Sequence, residues 1–137
     1  MTDIAVDTYS YTPPDRGWLL TELQGDKQPV TATSATLDFT KFTAGTHYPN
    51  GYIPSGVVLG IVTATGKLGA YASGNADGTQ TPVGILYNPI QVPADTSRKV
   101  QAAYVDCFAV VSISRLPSNS GYVSAVATAL PLVKFRA

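Results

Sequence analysis

The chain has one cysteine, one histidine, one methionine and one tryptophan in 137 residues, and these scarcities close off whole classes of function. A lone Cys107 excludes an internal disulfide. Its setting, YVDCFAVV, is that of a small apolar strand residue, with no neighbouring cation or helix N-terminus to lower a thiol pKa. A lone His47 means that any histidine-dependent triad must pass through the turn-rich segment THYPNG, and no Gly-x-Ser-x-Gly nucleophile motif accompanies it. A surface or turn-stabilising histidine is the default reading. One His and one Cys sixty positions apart do not form a zinc cluster.

Charge is scarce as well. Charged residues make up 13% of the chain, about half the share usual for soluble domains. Nine basic and nine acidic side chains cancel. No dense run of Lys or Arg supplies the footprint that direct nucleic-acid binding requires. Low net charge leaves little repulsion between copies, which suits a protein that self-associates or coats a larger object; composition is equally compatible with a neutral globular domain. No apolar run is long enough to span a bilayer, and the start, MTDIAVDTYSYTPPDRGW, has neither the positive region nor the apolar run of a signal peptide. No membrane partner is expected, and the protein is expected to be made in a cytoplasm.

The acidic side chains are scattered without the pairing of a glycosidase. Asn75, Asp77 and Thr79 alternate as calcium ligands do, but no acidic residue closes the loop, so a turn is the better reading. Gly56, Gly60 and Gly66 fall within and after a strand pattern, not at a helix opening where amides hold phosphate. Catalytic residues, metal ligands and cofactors are all read as none, and the chain is read as a non-enzyme.

What is present is β pattern and turns. At this length the chain can form one domain with a modest core. Residues 1–17 show no periodicity but gather Tyr9, Tyr11, Pro13 and Pro14, where the prolines favour an extended path. Two readings stand: an arm whose tyrosines offer contact area to another surface, or a tail without a role. Residues 18–137 form the expected β-rich domain. WLLTEL is compatible with a strand or a helical turn. Val30–Phe42 alternates β-branched residues, giving one strand or two, with Thr31, Thr33, Ala35, Leu37 and Phe39 on one face.

Val57–Thr63 is apolar on both faces and therefore covered on both. Thr65-Gly66 turns it into a hairpin with Lys67–Tyr71, and Pro82–Tyr87 resumes a strand with proline at its start. Val100–Ser114 is the longest β pattern. Val105, Cys107, Ala109, Val111 and Ile113 alternate on its core face, and Tyr104, Phe108 and Val110 form an apolar opposite face that either a second layer or another subunit covers. One helix follows, capped by Asn119 or Ser120, burying Val123, Val126, Ala127 and Leu130, and stopped by Pro131. LVKFRA suits a short last strand. The fold class is mainly β with one C-terminal helix.

The run from Pro54 to Leu86 resembles the lambda-type head decoration proteins of tailed phages. Pro54, Gly56, Leu59 and Gly60 lead through Thr65-Gly66 to the Asp77-Gly78 loop and a Val83-Gly84-Ile85-Leu86 strand. The resemblance is good over about Gly51–Leu86 and looser over the C-terminal strand, helix and strand. It implies a β-clip or incomplete-barrel decoration fold with an extended N-terminal arm, assembled as a homotrimer on the outside of the expanded head and stabilising it. The implied partner is the major capsid protein, and the implied location is the virion, on the outer capsid surface. The arm residues Tyr9, Tyr11, Pro13 and Pro14 are then the expected capsid contacts, and Tyr104, Phe108 and Val110 the expected trimer contact.

Two other readings compete. A small β-barrel carbohydrate-binding or phage-fibre module would use an exposed Trp18 and several of the eight tyrosines as a stacking platform. A dUTP-hydrolysing trimer of related fold would need an acidic and serine/tyrosine motif set around magnesium triphosphate, which the sequence does not display.

Overall fold

The computed structural model describes residues 17–20 and 31–136, and the structural statements below concern those residues. They contain nine strands and two short helices: β1 (Thr31–Leu37), α1 (Ala44–His47), β2 (Tyr52–Ile53), β3 (Val58–Ile61), β4 (Leu68–Ala70), β5 (Pro82–Leu86), β6 (Ile90–Gln91), β7 (Val100–Cys107), β8 (Ala109–Ser112), α2 (Ser124–Ala129) and β9 (Val133–Arg136). The class is mainly β with a C-terminal helix, as the sequence pattern requires.

Five strands form a ring in the order β1, β4, β3, β5, β7, and β7 returns to β1. Six of the seven β1–β7 register pairs run without interruption from Ala32↔Val105 to Leu37↔Val100. The β1–β4 seam holds by one parallel pair, Leu37↔Leu68, so the barrel is closed only at that end. Two small sheets flank the ring: antiparallel β2–β6 and parallel β8–β9.

The covered strands are apolar on both faces because each separates two cores. Val58 of β3, Ile85 of β5 and Val105 of β7 point into one core with Trp18, Leu19, Val111, Val126, Leu130 and Val133. Their chain neighbours Leu59, Leu86 and Tyr104 point into the other, with Leu37, Phe39, Phe42, Ile53 and Leu68. Side chains alternate across a strand, so a ribbon buried on both sides must carry apolar residues at consecutive positions.

Glycine is required where backbones meet. A Cβ at Gly60 would lie 2.6 Å from the Cα of Thr79, and one at Gly84 would strike the ring of Tyr104 and lie 2.8 Å from the Val105 carbonyl. The hairpin turn at Thr65-Gly66 forms as expected, with Gly66 at φ 73° and its N–H donating to Val62 O at 2.8 Å.

Several expectations change. β1 stops at Leu37 because the Asp38 carboxylate accepts from Thr40 N–H at 3.1 Å and starts a 3₁₀ turn over Phe39–Lys41. Of the residues expected on one face with Thr31, Thr33 is exposed, Ala35 is half-buried, and Leu37 and Phe39 are buried. Val100–Ser114 is not one strand: Phe108 takes φ 55°, and β7 and β8 belong to different sheets. The helix begins later than its expected caps. Val123 occupies the cap position without a side-chain bond; Asn119 Nδ2 donates instead to Thr46 O at 2.8 Å, and Ser120 Oγ accepts from Tyr122 N–H. Val126 and Leu130 are buried, whereas Val123 is exposed. Pro131 ends the helix at Leu130 as expected.

Candidate functional site

The residues with chemical potential are engaged in holding turns. His47 Nδ1 accepts from Thr43 N–H at 2.8 Å, and its ring meets Phe42 edge-on at a centroid distance of 5.6 Å. Burial lowers its pKa below the usual 6.5, favouring the neutral form that can accept this bond. The histidine closes a turn. Asp77 Oδ1 accepts from both the amide (3.1 Å) and the hydroxyl (2.5 Å) of Thr79, Asn75 Nδ2 donates to the same hydroxyl at 2.8 Å, and Lys41 Nζ lies 3.1 Å from Asp77 Oδ2. Those hydrogen bonds, with the nearby Lys41 ammonium, hold the Asp77 carboxyl at about 2. Among the described residues no three His, Cys, Asp or Glu side chains cluster as metal ligands.

Trp18, which a glycan-stacking platform would expose, is buried at 1% exposure. Its indole N–H donates to Ser55 Oγ at 3.0 Å, and Ser55 donates onward to Tyr87 O at 2.8 Å. Trp18 O accepts from Ser112 N–H at 2.7 Å, and Leu19 bridges Val111. The aromatic is a fastening between the chain's early residues and β8. Its burial removes the tryptophan from any glycan-stacking surface.

A shallow groove of about 330 Å³ lies between the α1 loop and the segment before α2, lined by Thr46, Pro49, Asn50, Tyr52, Pro54 and Asn119, among others. Asn119 bridges its two walls through Thr46 O and His47 O. No acidic, basic or histidine side chain lines it.

The most distinctive surface feature is the corner between β7 and β8. The β1–β7 register slips between Thr31 and Ala32, which leaves Asp106 as the extra residue of a bulge. Asp106 Oδ2 accepts from Thr33 Oγ1 across the strands at 3.0 Å, while Oδ1 is buried without a hydrogen-bond partner. Two residues on, Phe108 adopts its left-handed φ, donates its N–H to Leu132 O at 2.9 Å and projects its ring outward at 70% exposure. Leu132 is 59% exposed. An aromatic residue in left-handed geometry carries a local cost of roughly 1–2 kcal/mol.

Of the three side chains expected on one outer face, Tyr104 lies in the second core, Val110 is half-buried on β8 and Phe108 is exposed. Burial, then the Asp106 charge, raises the Tyr104 phenol pKa. The three do not share one face, because the bulge and the left-handed residue reset the alternation. Leu132, which alternation in the tail LVKFRA sets on one face with Lys134 and Arg136, is exposed as they are. The arm positions Tyr9, Tyr11, Pro13 and Pro14 lie outside the described residues.

No curated protein matches the chain. The family model of bacteriophage lambda head decoration protein D matches residues 30–129, which takes in the whole ring, β8 and α2. With more than two thirds of its length matched and a β ring with a C-terminal helix in that span, the chain belongs to the bacteriophage lambda head decoration protein D family.

Proposed function

We propose that this protein is a cementing protein that binds the outside of the expanded phage head as a trimer and stabilises that state. The observation that carries the reading is the family match over residues 30–129, a family whose role is structural decoration of the head. Trimer formation, outer placement, β-clip topology and stabilisation are the finer parts of the proposal.

The trimer contact is assigned to the β7–β8 corner, centred on Phe108 with Leu132 beside it. A solvent-exposed ring held in a costly backbone conformation contributes little to its own fold and has most of its area left to bury against a sister subunit. Tyr104 then supports the corner from inside, and Val110 flanks it on β8.

Residues 1–17 are assigned as the capsid-binding arm, with Tyr9 and Tyr11 as anchors and Pro13 and Pro14 limiting the conformations to be ordered. Trp18 gives the arm a rigid root. Binding that favours the expanded lattice lowers its free energy by about 2.7 kcal/mol per site at a hundredfold excess over Kd. Three arms on one trimer raise the effective concentration of the second and third contacts, so weak individual contacts suffice. Direct nucleic-acid contact and a membrane partner form no part of the reading.

Sedimentation with expanded heads lacking the protein tests it. Saturable binding in threes, with greater resistance of the heads to heat or chelators, is the expected result. Deletion of residues 1–17 is expected to weaken binding while the domain stays folded. Failure of the full-length protein to bind such heads would overturn the proposal.

A further inference from the structure

The cementing function makes no use of the groove between the α1 loop and the segment before α2, yet its lining has one consistent chemistry. Thr46 and Ser118 offer hydroxyls, Asn50 and Asn119 carboxamides, and Tyr52 a phenol on an aromatic ring, while prolines add rigid apolar edges. Thr46, Asn50 and Ser118 are exposed; Tyr52 and Asn119 are half-buried. Among the described residues, Thr46, Asn50, Tyr52 and Ser118 make no side-chain hydrogen bond, and Asn119 uses only its Nδ2, on Thr46 O and His47 O. Neutral donors and acceptors are thus left to solvent in one concavity.

The walls of the groove are fixed by the fold. Asn119 ties the segment before α2 to the end of α1, and His47 Nδ1 closes the α1 turn on Thr43 N–H. Gly51 N–H donates to Tyr48 O at 3.1 Å across the Pro49-Asn50 turn, and Val92 N–H donates to Gly51 O at 3.0 Å. Pro49 narrows the conformations of that turn further. Groups held in place beforehand lose little freedom on binding, so a few modest hydrogen bonds suffice for a measurable affinity.

We infer that this groove is a binding site for a short, uncharged saccharide. Sugar hydroxyls both donate and accept, as the lining does, so they replace the water displaced from each wall. A charged ligand would find no ion pair there and would give up hydration without return. A purely apolar ligand would dry the hydroxyl, phenol and carboxamide groups and leave them unpaired. The Tyr52 ring, held on β2 against β6, offers an apolar surface to the C–H face of a sugar ring. At about 330 Å³ the groove lies at the small end of ligand sites, about 300–1,000 Å³, which limits the ligand to a mono- or disaccharide. A proline-rich peptide fits less well, because its grooves are lined with several aromatics and this one has Tyr52 alone. The inference goes beyond the cementing function and does not depend on it, so protein free of heads suffices for the test.

Amide spectra of the nitrogen-15-labelled full chain, titrated separately with N-acetylglucosamine and with maltose, test it. Saturable shifts confined to the amides around Thr46, Asn50, Gly51, Ser118 and Asn119 are expected with at least one of them, with a Kd on the order of 1 mM. Glucuronate, a sugar ring bearing a carboxylate, is expected to bind more weakly than either. Tyr52→Ala should weaken binding about tenfold. Thr46→Val and Asn50→Ala, at exposed positions where the fold is little burdened, should each weaken it severalfold with urea unfolding unchanged. Absence of shifts with both sugars at about 0.1 M, a hundredfold above the expected Kd, overturns the inference. So do shifts spread over the whole surface, or shifts that Thr46→Val and Asn50→Ala leave unchanged. Shifts at the same amides with acetyl-tetraproline-amide and with neither sugar would make the groove a peptide site and overturn it equally.

Discussion

Replacing Phe108 with glycine separates the fold of the subunit from its assembly. Within one subunit three small terms nearly cancel. Relief of the left-handed φ of 55° favours the variant by roughly 1–2 kcal/mol. Against it stand glycine's larger unfolded-state entropy, about 0.5–1 kcal/mol, and loss of the buried part of the ring. The ring is 70% exposed, so that part is about a third of the 1.5–3 kcal/mol of a fully buried phenylalanine, or about 0.5–1 kcal/mol. Subunit stability should therefore change by no more than about 1 kcal/mol. Assembly is different. If the exposed area is buried in the trimer, each subunit loses about 1–2 kcal/mol and the trimer about 3–6 kcal/mol, or two to four orders of magnitude in its association constant. Sedimentation velocity across a concentration series, together with chemical unfolding of the dilute protein, reads both quantities. The reasoning is refuted if Phe108→Gly assembles as the parent does, or if it unfolds at markedly lower denaturant.

Three further outcomes follow from the packing and the ionic contacts. Ser55→Ala leaves the buried Trp18 indole N–H without its acceptor and should cost about 1–3 kcal/mol, measured by urea unfolding with the sole tryptophan as fluorescent reporter. Gly84→Ala drives a methyl group into the Tyr104 ring and the Val105 carbonyl, and should cost about 1–3 kcal/mol or more in the same assay, whereas Gly74→Ala, with open space around it, should not. The Asp77 carboxyl is held at about 2, below its usual 3.8, so its contribution is complete above about pH 4 and is lost as pH falls toward 2. Protection of the Thr79 amide should follow that window, and in Asp77→Asn, whose amide oxygen can still accept from Thr79 but does not titrate, it should not change across it.

The sequence by itself determined the β class, the turns and the late helix, because those depend on neighbours in the chain. Thr65-Gly66 needs only glycine's freedom at positive φ, Pro131 only its clash with helical geometry at Leu130, and the two-faced apolar runs around Val58, Ile85 and Val105 only the alternation of strand side chains. Family membership was also readable, in the Pro54–Gly60 run and the Val83–Leu86 strand, because those residues keep a fixed order and spacing. Tertiary structure decided which face of each strand met which neighbour. The bulge at Asp106 and the left-handed Phe108 divide a single β pattern between two sheets, placing Tyr104 inside and Phe108 outside. Trp18 looks available in sequence, and only the arrival of Ser55 and β8 from distant parts of the chain buries it. Pairings across such sequence separations are set by the sum of many weak contacts, and no local pattern carries that sum.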